Sequence, residues 1–450
     1  MASDKHQFQA GLNHINQTMK YDGLGRIQLL NQIVTRLVAG HPRQTVIRVC
    51  GTNGKGSTST MISNVLNAAG RSVGIFTSPY LIDPLEQIQI NGDVITEQQF
   101  LAAEQAVQAT VKALGYGFQT DISEFESWFL IAVQAFLTAQ TSVMVLECGM
   151  GGQLDATNAI DHSDFSIFTL IGLDHFKFLG DTLAQIATTK GKMIRDHEQV
   201  ISYFHQRPEV ATILKTIAAA HHAPLTVADQ VTIQAVRFDA ATLQTTFSAT
   251  TGDATIPLTL HLSGAFQLAN VKTVITWWQV YNAQHPAAPI PLTALQAGIA
   301  KTQIGGRFSR LANGWIVDGA HNRDAINAFV KTVNQYFGAA PKLIMVGFLA
   351  DKEVRRCVHE LQGIQNATFL TVTPDNHDRR LPADALFQIF ESESAVQNGT
   401  NRVINAQTFA QAAQLFHQAN PNDQLLVVGS FYTVKGIIEL LNRKDAEHDN

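Results

Sequence analysis

The chain has 450 residues, of which 45% are apolar and 15% charged, and its formal net charge at pH 7 is -5. This length predicts two or three domains, and this composition is typical of a soluble globular protein. The slightly acidic balance, without a basic stripe, excludes the electrostatic footprint of a nucleic-acid-binding protein.

The cysteines and the N-terminus bear on the compartment in which the protein resides. Three cysteines, Cys50, Cys148 and Cys357, lie far apart in the sequence and form no Cys-x-x-Cys pair. Their odd number and scatter argue against a disulfide framework and favour a reducing compartment. The N-terminus lacks the apolar core of a signal peptide, and the most apolar run, residues 128–137, is too short to span a bilayer. We therefore expect a cytoplasmic protein with no membrane partner.

The first half of the chain alternates short apolar runs with stretches of helical spacing. The predicted elements are, in chain order, a helix over 26–39, a strand over 46–50, a helix after residue 54, a strand over 72–77, helices over 96–114 and 123–139, and strands over 143–146 and 165–170. This alternation predicts an α/β fold in which helices cover both faces of a parallel sheet.

The pattern changes in the middle of the chain and then resumes. Residues 231–262 alternate without helical period, which predicts a small antiparallel excursion. The elements predicted after it are helices over 265–284 and 292–301, a strand over 315–318, a helix over 323–336, a strand over 342–346, a helix over 352–362, a strand over 367–372, helices over 382–392 and 407–418, a strand over 424–428 and a helix over 432–442. We expect two domains, 1–302 and 303–450, the second a smaller α/β domain.

A glycine-rich loop follows the first apolar strand and opens a helix. The candidate phosphate-binding residues in it are Gly51, Thr52, Asn53, Gly54, Lys55, Gly56, Ser57 and Thr58. Strand, glycine loop and helix N-terminus together form a phosphate cradle, in which Lys55 reaches the terminal phosphates and the Ser57 hydroxyl ligates Mg²⁺. Gly56 stands between Lys55 and Ser57, whereas the usual phosphate-binding motif ends in Gly-Lys-Ser/Thr. The alternative interpretation of this stretch is a solvent-exposed turn between strand and helix.

Polar residues follow two further strands of the first domain. Glu147 ends one strand and is followed by glycines, which predicts an Mg²⁺ ligand beside a substrate, the alternative being a solvated carboxylate at a capped turn. His175 follows the next strand, and its position beside the loop favours a metal ligand over a structural or surface histidine. Lys190 lies near the end of an N-capped helix, and spacing alone predicts a surface residue with nothing to prefer it over Lys192.

The second domain repeats the arrangement of polar residues after an apolar strand. Asp318 and His321 follow the strand over 315–318, and Arg307 lies just upstream. Arg307 could stabilise charge on a transferring phosphoryl group from across a domain cleft, the alternative being a solvated arginine in an interdomain turn. Ser430 lies in a glycine turn between strand and helix, a candidate carboxylate nest, although many such turns bind nothing.

Seven motifs in this order resemble the folylpolyglutamate synthase/dihydrofolate synthase family of the Mur ligase superfamily. They are Gly-Thr-Asn-Gly-Lys-Gly-Ser (51–57), Thr-Ser-Pro-x-Leu (77–81), Glu-x-Ile-x-Ile-Asn-Gly (86–92), Gly-Gly-x-Leu-Asp-Ala-Thr-Asn (151–158), Asp-His (174–175), Gly-Arg (306–307) and Asp-Gly-Ala-His-Asn (318–322). The matches extend from about residue 20 to residue 436, so the resemblance covers nearly the whole chain.

The resemblance implies an ATP-dependent ligase. It implies a P-loop N-terminal domain and a smaller Rossmann-like C-terminal domain that close over ATP and Mg²⁺. In the family reaction a folate carboxylate is phosphorylated, the amino group of L-glutamate attacks the acyl phosphate, and ADP and phosphate leave. The implied partners are small molecules, namely L-glutamate and either a folate or dihydropteroate, and the family's usual state is a monomer.

The resemblance also assigns roles to individual residues. Lys55 contacts the terminal phosphates, and Ser57, Glu147 and His175 serve two Mg²⁺ ions. Lys190 falls where the family has a carbamylated lysine that helps to position the second ion. The remaining assignments are Asn270 on the adenine side, Arg307, Asp318 and His321 at the nucleotide from the second domain, and Ser78, His321 and Ser430 at glutamate.

Several positions depart from the family pattern, mainly on the acceptor side. Tyr80 replaces a histidine, Gln87 and Gln153 replace arginines, and Phe129 replaces a threonine. Glutamine at position 87 cannot provide the bidentate carboxylate contact of arginine. Two alternatives therefore stay open: a Mur-type amide ligase for a different carboxylate and amino acid, and a P-loop ATP-binding protein without ligase activity.

Overall fold

The computed structural model describes residues 2–19, 26–174, 176–375, 378–397, 401–420 and 423–448. The chain packs into two compact units. The first unit consists of Met1–Gln234, Ser248–Leu258 and Ala269–Thr302, and the second of Ala235–Phe247, Thr259–Leu268 and Gln303–Asn450. One border between the units therefore falls after Thr302.

The first 301 residues contain eleven helices and eleven strands within the described ranges. They are α1 (Ala2–Asn16), α2 (Ile27–Val38), β1 (Thr45–Cys50), α3 (Lys55–Ala68), β2 (Val73–Phe76), β3 (Ile88–Ile90), β4 (Asp93–Val94), α4 (Glu97–Ala113), α5 (Phe118–Asp121), α6 (Glu124–Thr138), β5 (Val143–Glu147), β6 (Phe165–Phe168), α7 (Phe176–Leu179), α8 (Leu183–Gly191), β7 (Gln199–Ser202), α9 (Pro208–Ala220), β8 (Leu225–Val227), β9 (Thr232–Asp239), β10 (Gln244–Thr251), β11 (Ala254–Leu260), α10 (Ala265–Gln284) and α11 (Leu292–Lys301). Short 3-10 turns occur at Pro84–Gln87 and Ala156–Ala159.

The main sheet has eight strands in the order β4-β3-β2-β5-β1-β6-β7-β8. The strands from β2 to β8 in this order pair in parallel, whereas β3 and β4 form an antiparallel edge. The loops that follow β5, β1 and β6 therefore leave neighbouring strands at one edge of the sheet. Strands β9 to β11 form a separate three-stranded sheet in the region of the predicted excursion.

Two apolar clusters anchor this sheet. One contains α2, α4 and α6 side chains such as Ile33, Phe100 and Phe129. The other packs α8 and α9 against the strand ends, and includes Cys50 and Met193. Because burial of such side chains is the main favourable term in folding, these clusters hold the strand ends in place.

One buried charge in β1 requires compensation. Arg48 is fully buried in the centre of the strand, where its guanidinium pairs with Glu198 at 3.2 Å and donates to Asn158 Oδ1 at 2.8 Å. Since an unpaired buried charge is costly, these contacts tie the segments around residues 158 and 198 to β1.

The second unit has its own mainly parallel sheet. Its elements after residue 302 are β12 (Ser309–Arg310), β13 (Ile316–Asp318), α12 (Arg323–Phe337), β14 (Lys342–Val346), α13 (Val354–Leu361), β15 (Ala367–Val372), α14 (Ala383–Gln397), β16 (Arg402–Gln407), α15 (Phe409–His417), β17 (Gln424–Val428) and α16 (Phe431–His448). The strand order is β12-β13-β17-β14-β15-β16, and all neighbours except β12 and β13 pair in parallel. The loops after β13, β17 and β14 leave adjacent strands.

The predicted α/β fold is confirmed, with differences in detail. The sequence patterns predicted neither β16 nor the elements β7, α9 and β8. Strand β16 is an edge strand whose side chains are mostly exposed or half-buried, so it lacks the apolar run that marks a central parallel strand.

In the described part of the chain, no helix combines the length and hydropathy needed to cross a membrane.

Candidate active site

The glycine-rich loop is held against the end of β6. The amides of Thr52 and Asn53 both donate to the Leu170 carbonyl, at 2.8 and 3.3 Å. The Thr52 hydroxyl donates to the carbonyl of Gly172 and accepts from its amide, both at 3.0 Å. The loop that begins at Gly51 is therefore held by hydrogen bonds to residues 170 and 172.

Helix α3 begins directly after the loop, at Lys55. Its N-cap, Gly54, has a φ of 90°, which is the left-handed region that glycine adopts without strain. A Cβ at Gly54 would lie 2.5 Å from Asn270 Oδ1, so the backbone and the Asn270 side chain are in close contact. The helix N-terminus and Asn270, 215 residues apart in sequence, are thus brought together.

Gly54→Ala is expected to abolish nucleotide binding, because the methyl group meets Asn270 and strains the loop. Left-handed backbone alone costs a non-glycine residue about 1–2 kcal/mol. Gly40→Ala is the matched control, since Gly40 has a φ of 82° and open space at its Cβ position. Urea unfolding should show destabilisation of both variants, larger in Gly54→Ala because of the added contact with Asn270. Calorimetric titration with an ATP analogue should show loss of affinity only in Gly54→Ala. Equal affinity in the two variants would contradict this role of the Gly54 contact.

Glu147 ends β5 and lies beside the N-terminus of α3. Its Oε2 accepts a hydrogen bond from the Ser78 amide at 3.1 Å and lies 3.2 Å from where a Cβ of Gly56 would be. Ser57 is buried in the first turn of the same helix. The Glu147 carboxylate thus lies beside the helix turn that carries Ser57, and carboxylate and hydroxyl oxygens are ligand types that Mg²⁺ prefers.

Lys190 does not lie on the surface, so the expectation from spacing is wrong. Its side chain is buried, and its Nζ donates to the Gly51 carbonyl at 3.0 Å, whereas Lys192 is exposed. Close packing of α8 on the loop after β5 explains this difference, since Gln153 donates its amide to the Thr189 carbonyl at 3.1 Å. Burial lowers the pKa of Lys190 below its ordinary value. The structure therefore distinguishes the two lysines that the sequence pattern left equivalent.

Not every predicted residue of the first unit can be located. His175 lies outside the described residues, and Asp174 before it is buried. Lys55 Nζ lies 3.4 Å from the Thr52 carbonyl, within the loop. Within the described ranges, no group of three or more His, Cys, Asp or Glu residues is arranged to hold a metal ion.

A second carboxylate orders the segment that carries Ser78. Glu86 accepts hydrogen bonds from the amides of Leu81, Ile82 and Asp83, at 2.9, 3.2 and 2.9 Å. This role of Glu86 is not among the roles predicted from the sequence. The sequence nevertheless contains a pattern that indicates this role, because Asp83 and Glu86 have the spacing of a capping box. The structure contains that capping box.

In the second unit, Asp318 organises the loop after β13. Its carboxylate accepts from the amides of Phe308, at 2.8 Å, and Ala320, at 2.7 Å. Nδ1 of His321 lies 2.8 Å from the Gly319 carbonyl. Asp318 and His321 therefore come from one turn whose backbone is itself held by the Asp318 side chain.

Arg307 and Ser430 make specific contacts within the same unit. The Arg307 guanidinium stacks over the Phe431 ring at 4.6 Å from its centroid, a cation–π contact that sequence analysis missed. Ser430 Oγ accepts from the Thr433 amide at 3.0 Å and so caps α16. Asp318 thus ends β13, and His321 lies in the loop after it. Ser430 follows the adjacent strand β17 and precedes Phe431, the ring on which Arg307 stacks.

The stability of the second unit is expected to depend on the protonation of Asp318. Burial raises the pKa of this carboxyl to about 6, although Arg307 and two backbone amides act in the opposite direction. In the unfolded chain an Asp pKa is about 3.9, so the folded state binds this proton more tightly. The resulting contribution to the free energy of unfolding, about 3 kcal/mol, is full below about pH 4 and lost as the pH rises through 6.

Asp318→Asn removes the titrating group and provides the comparison. Urea unfolding of both proteins between about pH 4 and 8 should give a stability difference, wild type minus variant, that falls with rising pH and levels off above 7. Parallel curves across this range would mean that Asp318 does not titrate with a raised pKa.

Comparison with known proteins decides the family. Residues 49–277 match the Mur ligase middle domain, and residues 306–431 match the Mur ligase glutamate ligase domain. The chain is 30% identical over 353 residues to the dihydrofolate synthase/folylpolyglutamate synthase of Bacillus subtilis, covering 77% of this chain and 80% of that protein. The chain belongs to the folylpolyglutamate synthase/dihydrofolate synthase family. The resemblance inferred from its motifs is thereby confirmed.

Further family members and solved structures agree with this assignment. The folylpolyglutamate synthase of Lacticaseibacillus casei is 28% identical over 417 residues, which cover 91% of this chain and 94% of that protein. The structure of E. coli FolC in complex with DHPP and ADP superposes with a TM-score of 0.81 at 24% identity, covering 97% of this chain and 98% of that one. A Mycobacterium tuberculosis folylpolyglutamate synthase complexed with ADP and AMPPCP superposes with a TM-score of 0.83 at 23% identity, covering 98% of this chain and 99% of that one. These structures share the fold of the chain.

The positions that depart from the family pattern have different surroundings in this family member. Gln87 is buried and donates to the Pro84 carbonyl at 3.1 Å, so its side chain serves the local turn. Phe129 is buried in the apolar cluster of α2, α4 and α6. Gln153 is exposed and Tyr80 is half-buried. Two of the four changes are therefore structural in this chain.

Proposed function

We propose that this family member is an ATP- and Mg²⁺-dependent ligase that joins L-glutamate to a folate carboxylate through an acyl phosphate. The observation that carries the proposal is the convergence of the loop after β1, Glu147 and Lys190 at one edge of the main sheet. A structurally similar folylpolyglutamate synthase/dihydrofolate synthase has been crystallised with Mn, AMPPNP and L-glutamate bound.

In the proposed reaction the loop binds and orients ATP. The backbone amides between Gly51 and Ser57 and the dipole of α3 bind the phosphates, Lys55 contacts the terminal ones, and Asn270 contacts the adenine side. A carboxylate oxygen of the folate forms a bond to the γ-phosphorus as the bond to ADP breaks. The glutamate amine then attacks the acyl carbon, loses a proton, and phosphate leaves. The chain supplies positioning and charge neutralisation, so no nucleophilic side chain is needed.

Ser57 and Glu147 fit a magnesium site, because both are oxygen donors placed together beside the loop. Bound Mg²⁺ neutralises charge on the phosphates during transfer. We assign His175 and Lys190 to the same metal sites, for two ions in all. Ser57 and Glu147 are held by the first turn of α3 and by the end of β5, which are rigid parts of the fold.

Lys190 acts in the proposal as a carbamate. Burial depresses the pKa of this amine, which increases the neutral fraction that can attack CO₂. The amine nitrogen forms a bond to the carbon of CO₂ and releases one proton, which leaves a carboxylate on the side chain. This converts a buried neutral amine into an anionic oxygen ligand beside Gly51.

The second unit supplies the remaining contacts in the proposal, apart from that of Ser78, which belongs to the first unit. Arg307, Asp318 and His321 serve the nucleotide, and Ser78, His321 and Ser430 serve glutamate. Arg307 is held by Phe431, and Asp318 is buried in the turn that it organises, so both groups are ordered without a ligand. Such preorganisation is what electrostatic stabilisation of a transition state requires.

Mass spectrometry of reaction products tests the function directly. Purified protein is incubated with Mg-ATP and L-glutamate, with dihydropteroate and tetrahydrofolate in separate tubes. A mass gain of one or more glutamyl units supports the proposal and identifies the acceptor. The release of ADP should require both the acceptor and glutamate, whereas turnover independent of them, or no glutamyl product, would refute it.

A further inference from the structure

Three sulfur atoms lie together directly behind the phosphate-binding loop. Cys50 ends β1, Cys148 follows β5, and Met193 lies two residues beyond α8. Val49 pairs with Glu147 in the parallel ladder, and the Cys148 amide donates to the Val49 carbonyl at 3.0 Å, so the two cysteines are next to each other in register. Neighbouring parallel strands are about 4.8 Å apart, which places the two thiols side by side.

Two of the three sulfur atoms have the separation expected for ligands of one metal ion. Cys148 Sγ lies 3.9 Å from Met193 Sδ, and all three side chains belong to one buried cluster with exposures of at most 1%. Metal–sulfur bonds of about 2.3 Å would place two ligands of a three-coordinate ion about 4 Å apart. The observed separation between Cys148 and Met193 therefore matches a preformed pair of ligands.

The chemistry of the cluster selects a particular class of ion. Thiolate and thioether ligands prefer soft ions such as Cu(I) over Mg²⁺ or Ca²⁺. The nearby carboxylate of Asp155 is already used, because it accepts from the Met150 amide at 2.7 Å and from Thr157 Oγ1 at 2.6 Å. The Asp155 carboxylate is thus engaged elsewhere. The two thiols have weaker contacts, Cys50 Sγ with the Gly151 carbonyl at 3.0 Å and Cys148 Sγ with Thr157 Oγ1 at 3.3 Å, and binding of an ion would replace both.

We propose that Cys50, Cys148 and Met193 form a binding site for a soft monovalent metal ion of the copper(I) class. Two thiols and one Cu⁺ give a bis-thiolate complex with one negative charge and release two protons to solvent, while Met193 contributes a neutral sulfur. No change of oxidation state is involved.

The position of this site gives it a consequence for the loop. Cys50 immediately precedes Gly51, whose carbonyl accepts from Lys190, and Met193 follows Lys190 by three residues. An ion held by these sulfurs would join the start of the loop to the end of α8. We therefore expect copper to inhibit nucleotide binding reversibly, a consequence that rests on the proposed function of the loop.

Transfer of Cu(I) from its bathocuproine disulfonate complex, under anaerobic conditions and without ATP or folate, tests the site itself. Loss of the chelator colour should show one Cu(I) bound to the full-length protein. Cys357→Ser is the matched control, since Cys357 is also a buried free cysteine but belongs to the second unit, and it should bind the same amount. Cys148→Ser should lose binding, and Met193→Leu should weaken it at least tenfold.

X-ray absorption of the copper complex provides a second readout. A shell of sulfur atoms alone supports the site, and a nitrogen or oxygen shell would overturn it. Met193→Leu conserves volume, so it keeps the test informative if Cys148→Ser does not fold, as judged by circular dichroism. Unchanged copper uptake in a folded Cys148→Ser protein would also overturn the proposal. Because no step uses ligase activity, failure of the proposed function leaves this test unaffected.

Discussion

Lys190→Ala is expected to lower kcat of the ligase reaction on the order of 10²- to 10³-fold, the size of effect seen when a preorganised charge-stabilising group is removed. The side chain is buried with its Nζ on the Gly51 carbonyl, at the start of the phosphate-binding loop. Removing it deletes the proposed carbamate, and Lys192 does not replace it, since its side chain is exposed. Steady-state release of phosphate, measured with glutamate and the acceptor present, checks this loss.

Chemical rescue distinguishes the carbamate from a merely structural lysine. Small carboxylates such as formate or acetate should partly restore the activity of Lys190→Ala, and should do so without bicarbonate, because they replace the missing oxygen ligand. Lys192→Ala is the matched control and should keep its activity with or without added carboxylate. Full activity in Lys190→Ala would refute the carbamate role.

Lys55→Ala is expected to lower kcat/KM for ATP by a similar factor, on the order of 10²- to 10³-fold. The lysine carries a compact charge at the first residue of α3, where the phosphate groups are expected to bind. Its Nζ approaches the Thr52 carbonyl at 3.4 Å, a long and weak contact, so its removal should change the free energy of unfolding by no more than about 0.5 kcal/mol. The measurements are ATP-dependent kinetics and urea unfolding of the same preparation.

Lys55→Arg provides the comparison for this prediction. Arginine keeps the charge but carries it on a larger, planar group, so we expect activity between those of the wild type and Lys55→Ala. A Lys55→Ala protein with unchanged kcat/KM would remove Lys55 from the phosphate site and would weaken the functional proposal as a whole.

The order of strands and helices could be predicted because it depends on local patterns. Apolar runs such as 46–50 and 143–146 mark central parallel strands, since both faces of such strands are buried. The strand, glycine loop and helix around Gly54 could be recognised for the same reason, because a left-handed N-cap and a converging row of amides are requirements of the local backbone. Strand β16 lacks such a pattern, and its place at the sheet edge depends on its pairing with β15.

Local patterns alone established the fold class, the glycine-rich loop between strand and helix, and the family motifs, because each depends on residues close together in the chain. Packing between distant segments decided the rest. It buries Lys190, leaves Lys192 exposed and places Asn270 against Gly54. The physical reason is that burial, pKa and close approach depend on which neighbours the fold brings together, and side chains more than a hundred residues apart can therefore define one site only once the sheet has formed.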